Sequence, residues 1–334
     1  MSDLEKLNAL AAEAAERGAT IKNAEFGQSD SGDVILQASA ESADIEVSIP
    51  GPMQIAVSDI DFNTVQLSEG AAIDQGLREW TNAYLAALVD DADRQALVQV
   101  RKAIDAENLT ARSEFRGLGA ANFLTINTKT DGINRALLAP SIVATQRGPV
   151  LLPILGAARQ GNMGIVMSIS AGGSFRATGK GVTGEIQVTA GRFDSLHALN
   201  AHGRAQTFAS AFSLPLALSL PNGRHFSVGR NFTETQTVGQ AQVPKAWMEG
   251  DAIKMSYCPV ALGANPNAAR MTFRTALKHI DMPGQEMAWA SLRNYNLARL
   301  FEAYVAAGDI KDAALKEIFA QALACQIETM LKSI

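Results

Sequence analysis

A chain of 334 residues, 47% of them hydrophobic, is long enough for two modest domains or for one domain with a large insertion. Its formal charge of −5, from 29 basic and 34 acidic residues spread along the sequence, leaves no basic stripe for duplex nucleic acid. No apolar run reaches the length that crosses a bilayer, and two cysteines (Cys258, Cys325) with four histidines (His197, His202, His225, His279) are too few and too scattered for a disulfide framework or a thiolate metal site.

The N-terminus opens Met1-Ser2-Asp3-Leu4-Glu5-Lys6, with charges of both signs where a secretory leader would be basic and then apolar, so a cytoplasmic location is expected. Leu4, Leu7, Leu10, Ala11 and Ala14 recur at helical spacing between Ser2 as N-cap and Gly18 as C-cap, which predicts a first helix ending near Arg17. Short β-type runs follow at 21–26, 34–38, 45–49 and 54–57, punctuated by Gly27, Ser31-Gly32-Asp33 and Pro50-Gly51-Pro52. Between about 68 and 120, Leu77, Trp80, Tyr84, Leu85 and Leu88, then Leu97, Val98 and Ile104, return to helical spacing and predict a helical insertion. β character resumes at 138–143, 150–155, 165–169, 186–188, 212–220 and 226–228. Beyond about 265 three helical stretches, 268–279, 286–307 and 312–334, bring Leu300, Tyr304, Leu315, Phe319, Leu323, Ile327 and Leu331 onto apolar faces. The clusters Gly172-Gly173-Ser174-Phe175 and Gly179-Lys180-Gly181 lack the Lys-Ser/Thr of a phosphate loop and read as hairpin turns. No Gly-x-Ser-x-Gly elbow and no Cys/His pairing supports a hydrolase.

The most informative stretch is Gly184-Glu185-Ile186 followed by Ala190-Gly191 and, after a short helical run, His202-Gly203. It resembles a motif of SET-domain lysine methyltransferases of the Rubisco large-subunit type, in which a Gly-Glu pair leads into a strand ending Tyr-Gly and a short helix carries the chain to a second Tyr-Gly. The glycines fall at that separation, while Ala190 and His202 stand where the tyrosines would be. Other local matches follow the family's order: Gly32-Asp33-Val34 through Ala38 and Ile49-Pro50; Asn134-Arg135-Ala136-Leu137; Leu151-Leu152-Pro153 into Arg159-Gln160; Lys245 to Glu249; and the helical stretch 322–331. The resemblance implies an α+β fold, a SET-type β-fold of small sheets with a helical insertion followed by a C-terminal helical domain. The implied boundaries are an N-terminal helix at 1–18, a SET-like domain at 19–235 with its insertion at about 68–120, and a helical domain at 240–334.

It further implies S-adenosyl-L-methionine as cofactor, held by the backbone of Ser31, Gly32, Asp33 and Val34, by the Arg135 guanidinium at its carboxylate, and by the strand at Arg159-Gln160, where the family has Asn-His. Ser-Gly-Asp is also a favourable ordinary turn, and Arg135 reads equally as a solvated surface arginine. Ala190 has no hydroxyl to align a lysine amine. His202 would then be a neutral base or hydrogen-bond partner, with a packed helix-end histidine as the alternative. Gly250-Asp251 through Tyr257-Cys258-Pro259 resembles the same strand and retains a tyrosine, which makes Tyr257 the second catalytic candidate. The function implied is a divergent S-adenosylmethionine-dependent N-methyltransferase acting on a lysine or other amine of a protein or peptide partner presented by the C-terminal helices, with no nucleic acid or membrane involved. The alternatives are a SET-fold binding or scaffold protein without methyl transfer, and the same fold reused for other S-adenosylmethionine or small-ligand chemistry.

Overall fold

A computed structural model of the chain describes residues 3–29, 34–89, 91–118, 129–145, 147–189, 194–203, 205–221, 223–229, 244–263, 265 and 267–332. The architecture is α+β, with several small sheets followed by C-terminal helices. Two compact units divide it: the first is built from Met1–Gln99 and Ile126–Gly191, the second from Val100–Thr125, Arg192–Glu234 and Ala241–Ile334.

In the first unit, helix α1 (Asp3–Glu16) buries Leu7, Leu10, Ala11 and Ala14 on one face and stops at Gly18, whose φ of +93° suits a residue without a side chain. Its Asn8 carboxamide brackets the Phe26 peptide, donating to the carbonyl at 3.0 Å and accepting from the N–H at 2.8 Å. Strand β1 (Thr20–Lys22) pairs with β4 (Ala43–Ile49). Along β4 the alternation expected of a half-buried strand sends Ala43, Ile45, Val47 and Ile49 into the core. β4 pairs in turn with β12 (Phe175–Val182), and β12 with β11 (Ser168–Ile169). Residues more than 120 positions apart thus share a sheet. Gly179-Lys180-Gly181 lies inside β12 rather than in a turn: Gly179 is paired with Ile45, and the register shifts between Gly179 and Val182. The turn is at Gly172-Gly173 alone, where Gly173 has φ +80°.

The hairpin of β2 (Ala24–Gln28) and β3 (Val34–Ala38) stands beside this sheet, together with β5 (Ile55–Ala56), β9 (Gly148–Leu151) and β8 (Ile142–Thr145) in one three-stranded sheet and the small pair β6 (Ile60–Asp61) and β7 (Gln66–Leu67). Helix α2 (Gln75–Leu88), capped by the Asp74 carboxylate accepting from the Leu77 N–H at 2.9 Å, buries Leu77, Trp80, Thr81, Tyr84 and Leu85. A further helix, α4 (Thr130–Leu138), which periodicity did not predict, precedes β8. Its Asn134 is buried, donating to the Phe62 carbonyl at 2.7 Å and accepting from Arg94 at 2.8 Å.

The expected insertion is divided. Helix α3 (Asp91–Ala106) begins in the first unit, but its Ile104 and the following Leu109, Phe115 and Leu118 are buried in the second. There the Phe115 ring meets Phe319 with centroids 5.0 Å apart, and Arg299 caps the segment by donating to the carbonyls of Ser113 at 2.9 Å and Arg116 at 3.1 Å.

The second unit also holds α5 (Ser195–His202) and two further sheets. One sheet pairs β14 (Ser210–Phe212) with β19 (Pro259–Leu262). The other runs β15 (Leu216–Ser219), β16 (His225–Val228), β18 (Ala252–Met255), β17 (Ala246–Glu249), and so binds residues on both sides of position 240 into one sheet. Residues 246–249, inside the span 240–334 expected to be helical, form strand β17. Helices α6 (Ala268–Ala276), α7 (Gln285–Ala307) and α8 (Ala313–Leu331) complete the unit. Leu300, Leu315, Phe319, Leu323 and Ile327 are buried there, whereas Tyr304 and Leu331 are each 43% exposed and lie outside that core. Among the described residues no helix is long and apolar enough to cross a membrane.

Candidate functional site

The last register pair of hairpin β2–β3 is Gln28 with Val34. The outer edge of β3 accepts a second partner, the chain at 184–186. Ala38 donates to the Gly184 carbonyl at 2.8 Å, Ile186 donates to the Leu36 carbonyl at 2.8 Å, and Gln37 pairs with Glu185. Immediately after, β13 (Gln187–Thr189) pairs in parallel with β10 (Arg159–Val166), Arg159 opposite Gln187 and Gln160 opposite Val188. One short segment, 184–189, therefore has β3 on one part of its length and the start of β10 on the next. The ladder then skips from Gln160 to Ile165, both opposite Val188. Gly164 permits this bulge, because a Cβ there would stand 2.6 Å from the Gln187 carbonyl oxygen.

Side chains reinforce the same junction. The Arg159 guanidinium Nε lies 2.9 Å from Glu185 Oε1, with the two side chains 34% and 24% exposed, so a half-buried ion pair ties β10 to the segment beside it. Gln37 Nε2 donates to Glu25 Oε1 at 3.0 Å across the hairpin, over Gly27, which has no side chain to obstruct it. The charges of Arg159 and Glu185 offset each other at this junction.

Of the residues singled out from the sequence, Val34, Arg159 and Gln160 are brought to this set of paired strands. Ser31, Gly32, Asp33 and Ala190 lie outside the described residues. Arg135 is exposed on α4, its guanidinium carbon 4.3 Å above the Phe62 ring in a cation–π contact. His202 ends α5, and Tyr257 follows β18; both belong to the second unit. Tyr257 is 2% exposed and meets the Phe212 ring edge-on at 5.7 Å, a core position. Beside it Cys258 is fully buried, and burial pushes its thiol well above the usual range, so it stays protonated and unreactive. Glu185 was visible in the sequence within the Gly-Glu pair, but the pair alone does not reveal its bond to Arg159. Among the described residues no group of three or more His, Cys, Asp or Glu gathers to hold a metal ion.

No family model and no curated protein matches the sequence. Among solved structures, the SET domain of LSMT bound to lysine and AdoHcy is similar, with a TM-score of 0.41 at 12% identity over 98% of this chain and 89% of that one. The structure of Rubisco LSMT bound to AdoMet is similar with a TM-score of 0.40 at 11% identity, again over 98% and 89%. At these values the likeness assigns no residue a role.

Proposed function

We propose that the chain is an S-adenosylmethionine-dependent N-methyltransferase acting on a lysine or other amine of a protein partner. The observation that carries this reading is the placement of β3 and the start of β10 on one segment, 184–189, which makes the Gly-containing hairpin and Arg159-Gln160 neighbours of a common strand although about 120 residues separate them. The donor set suits the cofactor. Backbone edges of Val34 and of Arg159-Gln160 would hold the methionine end and the adenine, and the neutralised Arg159–Glu185 pair would not repel a sulfonium cation. Arg135 would offer a carboxylate its in-plane N–H groups while its face stays on the Phe62 ring.

When bound, S-adenosylmethionine would supply its sulfonium methyl group to a neutral amine and leave as S-adenosylhomocysteine, with the amine's proton passing to a base and then to solvent. His202 is the base candidate and the C-terminal helices the partner-presenting surface. A second reading, a binding or scaffold protein without methyl transfer, is favoured by Ala190, which lacks a hydroxyl, and by the core position of Tyr257.

Calorimetric titration with S-adenosylmethionine and S-adenosylhomocysteine, followed by transfer of labelled methyl to lysine-containing peptides and proteins, tests both. Binding with transfer supports the enzyme, and binding without transfer supports the module. Absence of binding by either compound overturns the proposal.

A further inference from the structure

The backbone holds one unusual residue next to this site. Ile154 has φ 63° and ψ −65°, is fully buried, and sits at the centre of a three-residue turn in which the Leu155 N–H reaches back to the Pro153 carbonyl at 2.6 Å. A β-branched side chain in the left-handed half of the map crowds its own backbone, and such a residue persists only where its surroundings over-determine it.

Those surroundings are specific. The Ile154 N–H donates to the Tyr84 hydroxyl at 2.7 Å, with both residues inaccessible to water. Burial pushes the Tyr84 pKa upward, which keeps the phenol neutral. Leu152 donates to the Ser141 carbonyl at 2.9 Å, and Gly156 packs so closely on Ser141 that a Cβ would stand 2.6 Å from the serine Cβ. Tyr84 is itself immobilised: Trp80 stacks on it at 5.4 Å, and the Trp80 indole N–H is anchored on the Leu10 carbonyl at 2.9 Å. After the turn the chain makes one 3-10 turn, Leu155–Ala157, and enters β10 at Arg159.

We infer that Tyr84 is a positioning residue: its hydroxyl holds the strained Ile154 turn and thereby sets where β10 begins and how Arg159 and Gln160 register against Gln187 and Val188. The link to an S-adenosyl ligand rests on the function proposed above; the link to β10 does not. A tyrosine that merely filled the core would be replaced by phenylalanine with a loss of stability alone. A positioning tyrosine would alter β10 selectively, and that alteration would be relieved by removing the strain at Ile154.

The experiment compares wild type, Tyr84→Phe, Ile154→Gly and the double variant by melting temperature, by amide hydrogen exchange at residues 158–160 and 187–189 with β4 as internal reference, and by calorimetric titration with S-adenosylmethionine. Tyr84→Phe is expected to raise exchange at β10 and β13 about tenfold relative to β4 and to weaken S-adenosylmethionine about tenfold. In the double variant glycine accepts the same φ without strain. Protection and affinity should therefore recover toward wild type even though the lost isoleucine side chain lowers the melting temperature further. Opposite movement of stability and β10 protection is the signature of positioning.

The inference is overturned if Tyr84→Phe changes exchange uniformly over β4 and β10, or if the double variant loses protection in step with stability. Should Tyr84→Phe fail to fold, the double variant must fold and protect β10, and one that stays unfolded also overturns it. If wild type binds no S-adenosylmethionine, the functional reading fails while the exchange measurements still decide the role of Tyr84.

Discussion

The indole of Trp80 lies almost flat on the Tyr84 ring, with centroids 5.4 Å apart and planes inclined by 9°, while its N–H donates to the Leu10 carbonyl midway along α1. The first helix is thus fastened through one side chain to the interior of the first unit. Trp80→Phe keeps most of the apolar contact and loses the hydrogen bond, which should cost about 1 kcal/mol in chemical denaturation. Trp80→Ala also opens a cavity and should cost about 3–5 kcal/mol. Equal losses in the two variants would show that the bond to Leu10, rather than the ring, accounts for the anchoring.

In the second unit, Asp194 is fully buried and accepts hydrogen bonds from the His197 N–H at 2.7 Å as N-cap of α5, from the Phe212 N–H at 2.9 Å, and from Gln326 at 3.0 Å. Gln326 returns a bond to α5 by accepting from the Ser195 N–H at 3.1 Å. Asp194→Ala leaves several buried donors without an acceptor and should lower unfolding free energy by on the order of 3 kcal/mol or more. Gln326→Leu, removing one member only, should cost less. A loss below about 1 kcal/mol for Asp194→Ala would mean that water or a shifted side chain replaces the carboxylate.

The ion pair at the candidate site should behave differently. Arg159 and Glu185 are both partly exposed, so screening by water limits their attraction, and a double-mutant cycle is expected to give a coupling of about 0.2–1 kcal/mol that shrinks with salt. If the adenine end of a cofactor is recognised through backbone, Arg159→Ala should leave S-adenosylmethionine affinity within about threefold of wild type. A larger loss would assign the guanidinium a direct contact.

Side chains of the C-terminal helices fall into two groups. Phe319→Ala and Leu300→Ala, at positions with at most 1% exposure, should each cost about 2–5 kcal/mol. Tyr304→Ala and Leu331→Ala should stay within about 0.5 kcal/mol, since both side chains are substantially exposed. The reverse ranking in thermal denaturation would contradict this division of the helix faces.

Asp61 offers a titration test. The Asn63 N–H, donating to its carboxylate at 2.9 Å, chiefly holds its pKa below the ordinary aspartate value, with Thr64 and the Asn63 side chain adding to the effect. Because the folded-state value is depressed, this contribution to stability is present above the unfolded pKa and is lost as pH falls through the folded one. In a carboxyl-carbon titration Asp61 should have a midpoint below that of an unstructured aspartate, and Asn63→Ala, which keeps the backbone N–H, should raise it only in part.

Periodicity made much of this legible. The burial of α1, the alternation of β4 and the three C-terminal helices follow from spacing that a sequence displays directly. The strand at 175–182 was hidden because Gly179 and Gly181 signal a turn, and the pairing with β4 that overrides this signal lies about 130 residues away. Helix α4 was masked by its short length and by Gly132. At the candidate site the sequence offered Arg159 and Gln160 as family positions, but the Glu185 partner, the β10 bulge and the Ile154 turn depend on tertiary contacts that no local pattern encodes.

The alternation of segments between the two units bears on how the protein can be dissected. Ile104, Leu109, Phe115 and Leu118 belong to the same unit as α7 and α8, and β14–β16 to the same unit as β17–β19, yet 126–191 intervenes in the chain and belongs elsewhere. No single cleavage therefore releases the second unit free of first-unit segments: a cut near 192 keeps the buried apolar residues from Leu7 to Val188 together but separates Ile104, Leu109, Phe115 and Leu118 from α7 and α8. A C-terminal fragment starting near 240 would expose Phe319 and strand β18 for want of their partners, and an N-terminal fragment ending there would carry orphaned apolar segments of its own. Loss of activity after such truncations would report failed folding, and roles within this molecule are better separated by point substitution in the intact chain.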